Sequence, residues 1–215
     1  KDYSAISVMS GLKSLYLNSD IIKDIGFIKG LPALEDLTLE DTAVISLASL
    51  SEMPALRSLT LLGNNKVQDF GPVGTATGLT SLSIDKMTSQ PDPDLSSLSG
   101  LVKLDIKGFM SISSVRGLSG LKELSIHNCN VDQADALSSL TGVERLTFYS
   151  VWNSQGNLRS LDFLKGMTGL KYADFTGNLD GTGWSGYNYL VEVYGDVSSI
   201  FNHQGLEELY LDNGK

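Results

Sequence analysis

The stretch LEDLTL at residues 34–39 decides the fold, because a near-copy, LRSLTL, follows 22 residues later at 56–61. Both segments place three apolar residues at intervals of three and then two positions. This pattern occurs nine times in the chain, with first members at residues 12, 34, 56, 79, 101, 121, 143, 170 and 206. The first six intervals are 20 to 23 residues, and the last two are 27 and 36. Nine similar units at nearly constant spacing predict a repeat architecture, in which stacked neighbours close a core that one unit cannot close alone.

Each unit combines two hydrophobic periods. The apolar-polar-apolar end of each pattern, such as Leu37-Thr-Leu39, has period two and predicts a short strand with one face buried. A run of period three, such as Ile22, Ile25 and Ile28, precedes the next strand. Period three suits a 3₁₀ or polyproline-like segment better than an α-helix with 3.6 residues per turn. The unit is therefore predicted to be a strand, a turn and an extended return segment.

This unit resembles the leucine-rich repeat of the internalin-type class, which bacterial surface proteins share with a eukaryotic phosphatase regulator. The resemblance covers essentially the whole chain and is tightest from Leu12 to Phe148. It implies an α/β repeat solenoid, a right-handed leucine-rich-repeat horseshoe or arc with a parallel concave β-sheet and a 3₁₀ or extended convex side. It also implies Asn or Cys three residues after the last strand leucine. In this chain those positions hold Asp20, Thr42, Asn64, Met87, Phe109, Cys129, Val151, Asn178 and Gly214.

The repeats predict one leucine-rich-repeat domain over residues 1–215, with about nine repeats and enlarged repeats at 143–205. The chain opens inside a unit and closes just after a strand, and neither end shows a cysteine cap or a cap helix. Solenoids need polar caps on their end faces. We therefore expect a fragment of a longer protein.

Composition narrows the range of functions. The net charge of −9 argues against binding to a nucleic-acid backbone, which requires clustered Lys and Arg. No apolar run approaches the roughly 20 residues needed to cross a bilayer, so no membrane insertion is expected. The single cysteine cannot form an internal disulfide, and no phosphate-binding loop or zinc cluster occurs. No cofactor is predicted.

The strand residues between the buried leucines are predicted to point to the concave face. At these positions eight carboxylates outnumber three basic residues, which gives a charge of 3 − 8 = −5. An acidic concave face favours a basic protein partner. The alternative is that these polar side chains only keep an exposed sheet soluble.

Aromatic residues concentrate after residue 148, where six of eight tyrosines and both tryptophans lie. The enlarged repeats place insertions at about 152–157 and 178–195, and insertions on one face of a repeat array often mark its binding face. Tyr, Trp and Arg are common anchors of interfaces. Alternatively, these aromatic residues pack on the insertions themselves. The predicted partner contacts are Tyr16, Asp36, Glu40, Asp85, Asp105, His127, Arg145, Tyr149, Trp152, Tyr172, Asp174, Trp184 and Tyr187.

Two segments of the sequence resemble catalytic or metal-binding motifs, but neither is complete. His127 and Cys129 are close in sequence, but the repeat pattern predicts that His127 faces outward and Cys129 faces the core. A nucleophile needs its base within hydrogen-bond reach. The segment 178–189 faintly resembles a calcium loop but carries Tyr189 where a bidentate Glu is required. No catalytic or metal-binding residue is predicted.

The leading hypothesis is a non-enzymatic protein–protein interaction domain for adhesion or recognition, at the bacterial cell surface or secreted. The absence of Asn-x-Ser/Thr sequons and of disulfide caps disfavours a eukaryotic ectodomain. Three alternatives stay open: a cytoplasmic leucine-rich-repeat scaffold that regulates an enzyme, a structural spacer, and carbohydrate binding through Trp152, Trp184 and the tyrosines.

Overall fold

The computed structural model describes residues 3–149, 151, 161–175 and 205–210. The chain divides into two compact units, unit 1 over Lys1–Leu101 and unit 2 over Val102–Lys215. The described part of unit 1 contains the parallel strands β1 (Ser14–Asn18), β2 (Asp36–Glu40), β3 (Ser58–Leu62) and β4 (Ser81–Asp85). The described part of unit 2 contains the parallel strands β5 (Lys103–Lys107), β6 (Glu123–His127), β7 (Arg145–Tyr149), β8 (Tyr172–Asp174) and β9 (Glu208–Tyr210).

Short 3₁₀ helices fill most of the return segments, as the period of three predicts. In unit 1 they are η1 (Ser4–Val8), η2 (Gly26–Gly30), η3 (Ala48–Glu52) and η4 (Gly71–Thr75). In unit 2 they are η5 (Ser113–Val115), η6 (Ala134–Ser139) and η7 (Asp162–Gly166). Strands that follow each other in sequence pair within each unit, so the sheets are open rather than closed barrels.

Strand register repeats the sequence pattern. Leu37 pairs with Leu59, and Leu59 pairs with Leu82, so equivalent residues of successive repeats form a continuous buried row. These leucines are at most 1% exposed, and Leu104 and Leu124 of unit 2 are equally buried. Burial of a large aliphatic side chain contributes about 1.5–3 kcal/mol. The predicted division of strand residues into an inward and an outward set is therefore confirmed.

The turn that follows four of the strands begins with a left-handed residue. Asp41 (φ 48°), Gly63 (φ 64°), Gly108 (φ 79°) and Asn128 (φ 47°) occupy this position after β2, β3, β5 and β6. Glycine adopts positive φ without steric cost, and Asp and Asn tolerate it better than most residues. These residues turn the chain from the strand into the return segment.

The Asn or Cys position implied by the resemblance is filled in three ways. Asn64 is buried, and its Nδ2 donates to the carbonyls of Leu39 (2.7 Å) and Leu62 (3.0 Å). Cys129 is also buried, and its thiol accepts from the backbone N–H of Phe109 at 3.3 Å. Phe109 and Val151 instead fill the equivalent space with apolar side chains.

The pattern is wrong at two of these positions, since Asp20 and Met87 are exposed. In the fourth repeat the neighbouring Lys86 is buried instead. Residues 178 and 214 lie outside the described part of the chain.

Candidate binding surface

The outward side chains of the strands form what we call the sheet face of each unit. Outward residues alternate with less exposed ones along the described strands, and they include the exposed rings of Tyr16, Tyr149 and Tyr210. Adjacent strands in a sheet lie about 4.8 Å apart, so outward residues at paired positions are neighbours. The sheet face is therefore a regular arrangement of polar and aromatic side chains, and the buried leucines on the opposite side of the strands hold it in place.

The sheet face of unit 1 is acidic and hydroxylic. It carries Asp36, Glu40 and Asp85, while none of its outward strand positions holds Lys or Arg. The Tyr16 hydroxyl donates to Glu40 Oε2 at 2.6 Å, and Asn18 Nδ2 donates to the same hydroxyl at 3.1 Å. The bond to Glu40 raises the pKa of Tyr16, so the phenol stays protonated and remains a donor.

The sheet face of unit 2 carries both charges. Lys103 Nζ lies 3.2 Å from Glu123 Oε2, and His127 Nε2 lies 3.4 Å from Asp105 Oδ1. The His127 ring also lies beside that of Tyr149, with centroids 6.1 Å apart. The structure thus brings together His127, Asp105 and Tyr149, three of the residues predicted as partner contacts.

Three strands of unit 2 build an aromatic cluster, which we define as Arg145, Tyr172 and Tyr210. The Arg145 guanidinium lies over the Tyr172 ring at 3.7 Å from its centroid, within the range of a cation–π contact. The Tyr172 and Tyr210 rings are 5.4 Å apart. The cluster therefore runs across β7, β8 and β9 as one group of side chains in contact.

Carboxylates hold the two phenols of the cluster. Tyr172 donates to Asp174 Oδ2 at 3.3 Å, and Tyr210 donates to Glu208 Oε2 at 3.0 Å. The pKa of Tyr172 is raised by burial and by Asp174, and that of Tyr210 is raised mainly by the bond to Glu208. Both rings are thereby fixed as neutral donors, so little side-chain freedom remains to be lost when a partner binds.

Tyr210 and Glu208 are absent from the contacts predicted from the sequence, although both occupy outward positions of the ninth repeat. The 36-residue interval before that repeat gives no indication in the sequence that they lie near Tyr172. The strand register shows that they do, because Tyr172 pairs with Glu208 and Asp174 pairs with Tyr210. The predicted contacts Trp152, Trp184 and Tyr187, and the insertions at 152–157 and 178–195, lie outside the described residues.

The described residues do not assemble a hydrolytic or metal site. Cys129 is fully buried, with its sulfur within reach of the backbone carbonyls of Ile106 and His127, whereas the His127 side chain lies on the sheet face. Over the same residues, no group of three or more His, Cys, Asp and Glu side chains is placed to hold a metal ion. Nor does this part of the chain contain a helix long and apolar enough to span a membrane.

Strand order, 3₁₀ returns and buried leucine rows define the class of protein: a leucine-rich-repeat solenoid. No protein-family model matches the sequence, and no curated protein sequence matches it. Solved structures do share the fold. An internalin, inlF, from Listeria monocytogenes is similar over 100% of this chain, with a TM-score of 0.75 and 21% identity. This chain spans 64% of that protein.

Two further structures support the same fold. Internalin C2 of Listeria monocytogenes is similar over 96% of this chain and 74% of its own, with a TM-score of 0.57 and 18% identity. A leucine-rich-repeat protein of Leptospira interrogans is similar over 99% of this chain and 57% of its own, with a TM-score of 0.58 and 14% identity. The fold is thus that of the internalins, and the resemblance predicted from the 22-residue unit is confirmed at the level of the fold.

Proposed function

We propose that this chain is a non-enzymatic protein-interaction domain that binds its partner through the sheet faces. The observation that carries the proposal is the cluster of Arg145, Tyr172 and Tyr210, a preorganised group of the residue types that dominate interface energetics. A spacer has no need for neighbouring, hydrogen-bonded aromatic side chains on an exposed sheet. Such a cluster suits binding because its geometry is set before the partner arrives.

The finer parts of the proposal concern the charge of the partner and the location of the chain. The formal charge of −9 and the carboxylates of unit 1 favour a basic partner. The three solved structures compared above come from two bacteria, which supports a role in bacterial adhesion or recognition, at the cell surface or secreted. We retain the single repeat domain over 1–215, and the contacts by Trp152, Trp184 and Tyr187, as parts of this proposal.

A differential capture experiment tests the proposal. The wild-type chain, a Tyr172→Ser/Tyr210→Ser variant and an Arg116→Ala/Asp135→Ala variant are immobilised and exposed to an extract of host proteins. Arg116 and Asp135 are a matched control, because this exposed pair at 2.7 Å is part of no strand. We expect proteins that the wild type and the control retain but the tyrosine variant loses, as measured by quantitative mass spectrometry.

Equal capture by all three proteins would contradict binding through the cluster and would favour the spacer. Binding of the wild type to a glycan array, with loss in the tyrosine variant, would instead favour carbohydrate recognition. Protease treatment of intact native cells, followed by immunodetection of the chain, tests the location separately. Resistance to the protease and absence from the medium would contradict a surface or secreted role.

A further inference from the structure

The sheet face of unit 1 is acidic. Its four strands offer twelve outward positions, three on each strand, and these hold three carboxylates and no Lys or Arg. Two carboxylates off the face have cations beside them: Glu35 lies 2.7 Å from Lys13 Nζ, and Glu52 lies 2.5 Å from Lys29 Nζ. The outward strand positions of unit 1 thus carry a net negative charge, so the face attracts cationic groups from solution.

Within this face, Tyr16 presents an aromatic surface between two carboxylates. The register pairs Tyr16 with Thr38, while Asp36 and Glu40 occupy the outward positions on either side of Thr38. Diagonal neighbours on paired strands lie about 7–8 Å apart. A cationic group over the Tyr16 ring would therefore have one carboxylate on each side of it.

The ring is both accessible and fixed. Tyr16 is 59% exposed and also makes two hydrogen bonds through its hydroxyl. The bonds to Glu40 and Asn18 hold the phenol at one end and leave the ring face open. A fixed aromatic face attracts Lys, and more often Arg, through its quadrupole, and the attraction grows when the pair is desolvated.

We propose that Tyr16, Asp36 and Glu40 form a subsite for an arginine or lysine side chain of an extended polypeptide segment lying on the sheet face of unit 1. The inference rests on the proposed function and specifies its partner. The cation stacks on the Tyr16 ring, while the two carboxylates supply charge complementarity and orient the segment. A divalent ion is not the occupant, because the described residues offer no group of three ligating side chains.

Synthetic peptides test the subsite without knowledge of the native partner. The probe is a twelve-residue (Arg-Ser)₆ peptide, with (Lys-Ser)₆ as a second arm and (Glu-Ser)₆ as the negative control. Fluorescence anisotropy at low ionic strength measures their affinity for the full chain. Amide NMR shifts on addition of the Arg peptide identify the residues that the peptide contacts.

We expect Asp36→Asn/Glu40→Gln to weaken the Arg peptide by about tenfold, since two close carboxylates are lost. Tyr16→Leu should weaken it by about two- to fivefold, and Tyr16→Phe by less, because the ring is retained. The matched control is Asp20→Asn/Glu52→Gln, which removes the same formal charge from exposed residues outside the strands. It should leave the affinity within about twofold of wild type.

Equal weakening by the control would show attraction to net charge alone and would overturn the subsite. The same conclusion would follow if the peptide did not bind, or if its NMR shifts mapped to unit 2. Failure here is distinct from failure of the proposed function. Protein capture that still depends on Tyr172 and Tyr210 would leave the interaction domain standing while removing its Tyr16 subsite.

Discussion

Lys86 shows at the scale of one residue how a repeat tolerates an unusual side chain. Its side chain is fully buried, and Nζ donates to the carbonyls of Gln90 (2.7 Å) and Met87 (3.3 Å) and pairs with Asp92 Oδ1 at 2.8 Å. Burial of an ammonium group is costly unless hydrogen bonds and an opposite charge compensate for it. Lys86 donates hydrogen bonds to backbone carbonyls from the turn of the fourth repeat, as Asn64 does from the turn of the third.

Replacement of Lys86 by methionine should lower the free energy of unfolding by about 3 kcal/mol. Methionine fills much of the same volume but leaves Asp92 and two carbonyls without this cation, and loss of one member of a buried pair costs about 3–5 kcal/mol. Urea denaturation measures the difference. Lys66→Met is the control, because Lys66 is exposed, and it should change the stability by less than about 0.5 kcal/mol. Equal changes in the free energy of unfolding for the two substitutions would show that the ion pair and hydrogen bonds of Lys86 do not stabilise the fold.

At the scale of the element, the strand leucines carry the stability of each unit. Leu82 in β4 and Leu104 in β5 are completely buried. Truncation of either to alanine should lower the free energy of unfolding by about 2–5 kcal/mol through lost burial and cavity formation. Urea melts check this result. Ser83→Ala and Asp105→Asn, at the outward positions beside these leucines, should have much smaller effects, and leucine variants as stable as these controls would contradict the inward assignment.

The strands and most return segments were predictable because each follows one hydrophobic period. Leu82 and Ile84 alternate with polar neighbours, and the buried series Ile22, Ile25 and Ile28 leads into η2. The return of the fourth repeat departs from this rule: the structure assigns no 3₁₀ helix between β4 and β5. Pro93 explains the difference, because the residue before a proline favours an extended backbone. That residue, Asp92, lies nine residues before Leu101, just as Phe70, from which η4 begins, lies nine residues before Leu79.

The candidate surface was predictable only in part. Alternation along a strand is local, so it places Tyr16 and Arg145 outward without further information. Contacts between side chains depend instead on register across long intervals. The ring contact between Tyr172 and Tyr210 joins residues 38 positions apart in sequence, and no local period encodes it. Burial of Lys86 in place of Met87 escaped prediction for a different reason, since its partners come from the conformation of the turn itself.

At the scale of the whole molecule, charged residues just before the strands form ladders between repeats. Glu144 accepts from Lys171 at 2.9 Å and lies 3.2 Å from Lys122, while Lys13 and Glu35 form a similar rung in unit 1. Lys171 and Lys122 together lower the pKa of Glu144 below 4.5, and Glu144 raises the pKa of Lys171 above 10.5. These exposed pairs stabilise the folded chain modestly and in proportion to their ionisation.

Glu144→Gln should therefore make stability less dependent on pH in acid. A carboxyl whose pKa is lower in the folded state stabilises the fold above its unfolded pKa, and that contribution disappears as pH falls through the folded pKa. The wild type should exceed the variant in stability by a constant amount at neutral pH, and the difference should shrink below about pH 4.5. Urea melts across pH measure it. Added salt should reduce the difference at neutral pH, and a difference that grows in acid would contradict the assignment.

The alternation along the strands separates the buried residues that stabilise this protein from the outward residues on its surface. A substitution at Tyr16, Thr38 or Thr60 alters the displayed chemistry without entering the leucine rows beneath. Point changes at these outward positions can therefore alter the proposed binding surface while the buried scaffold is retained.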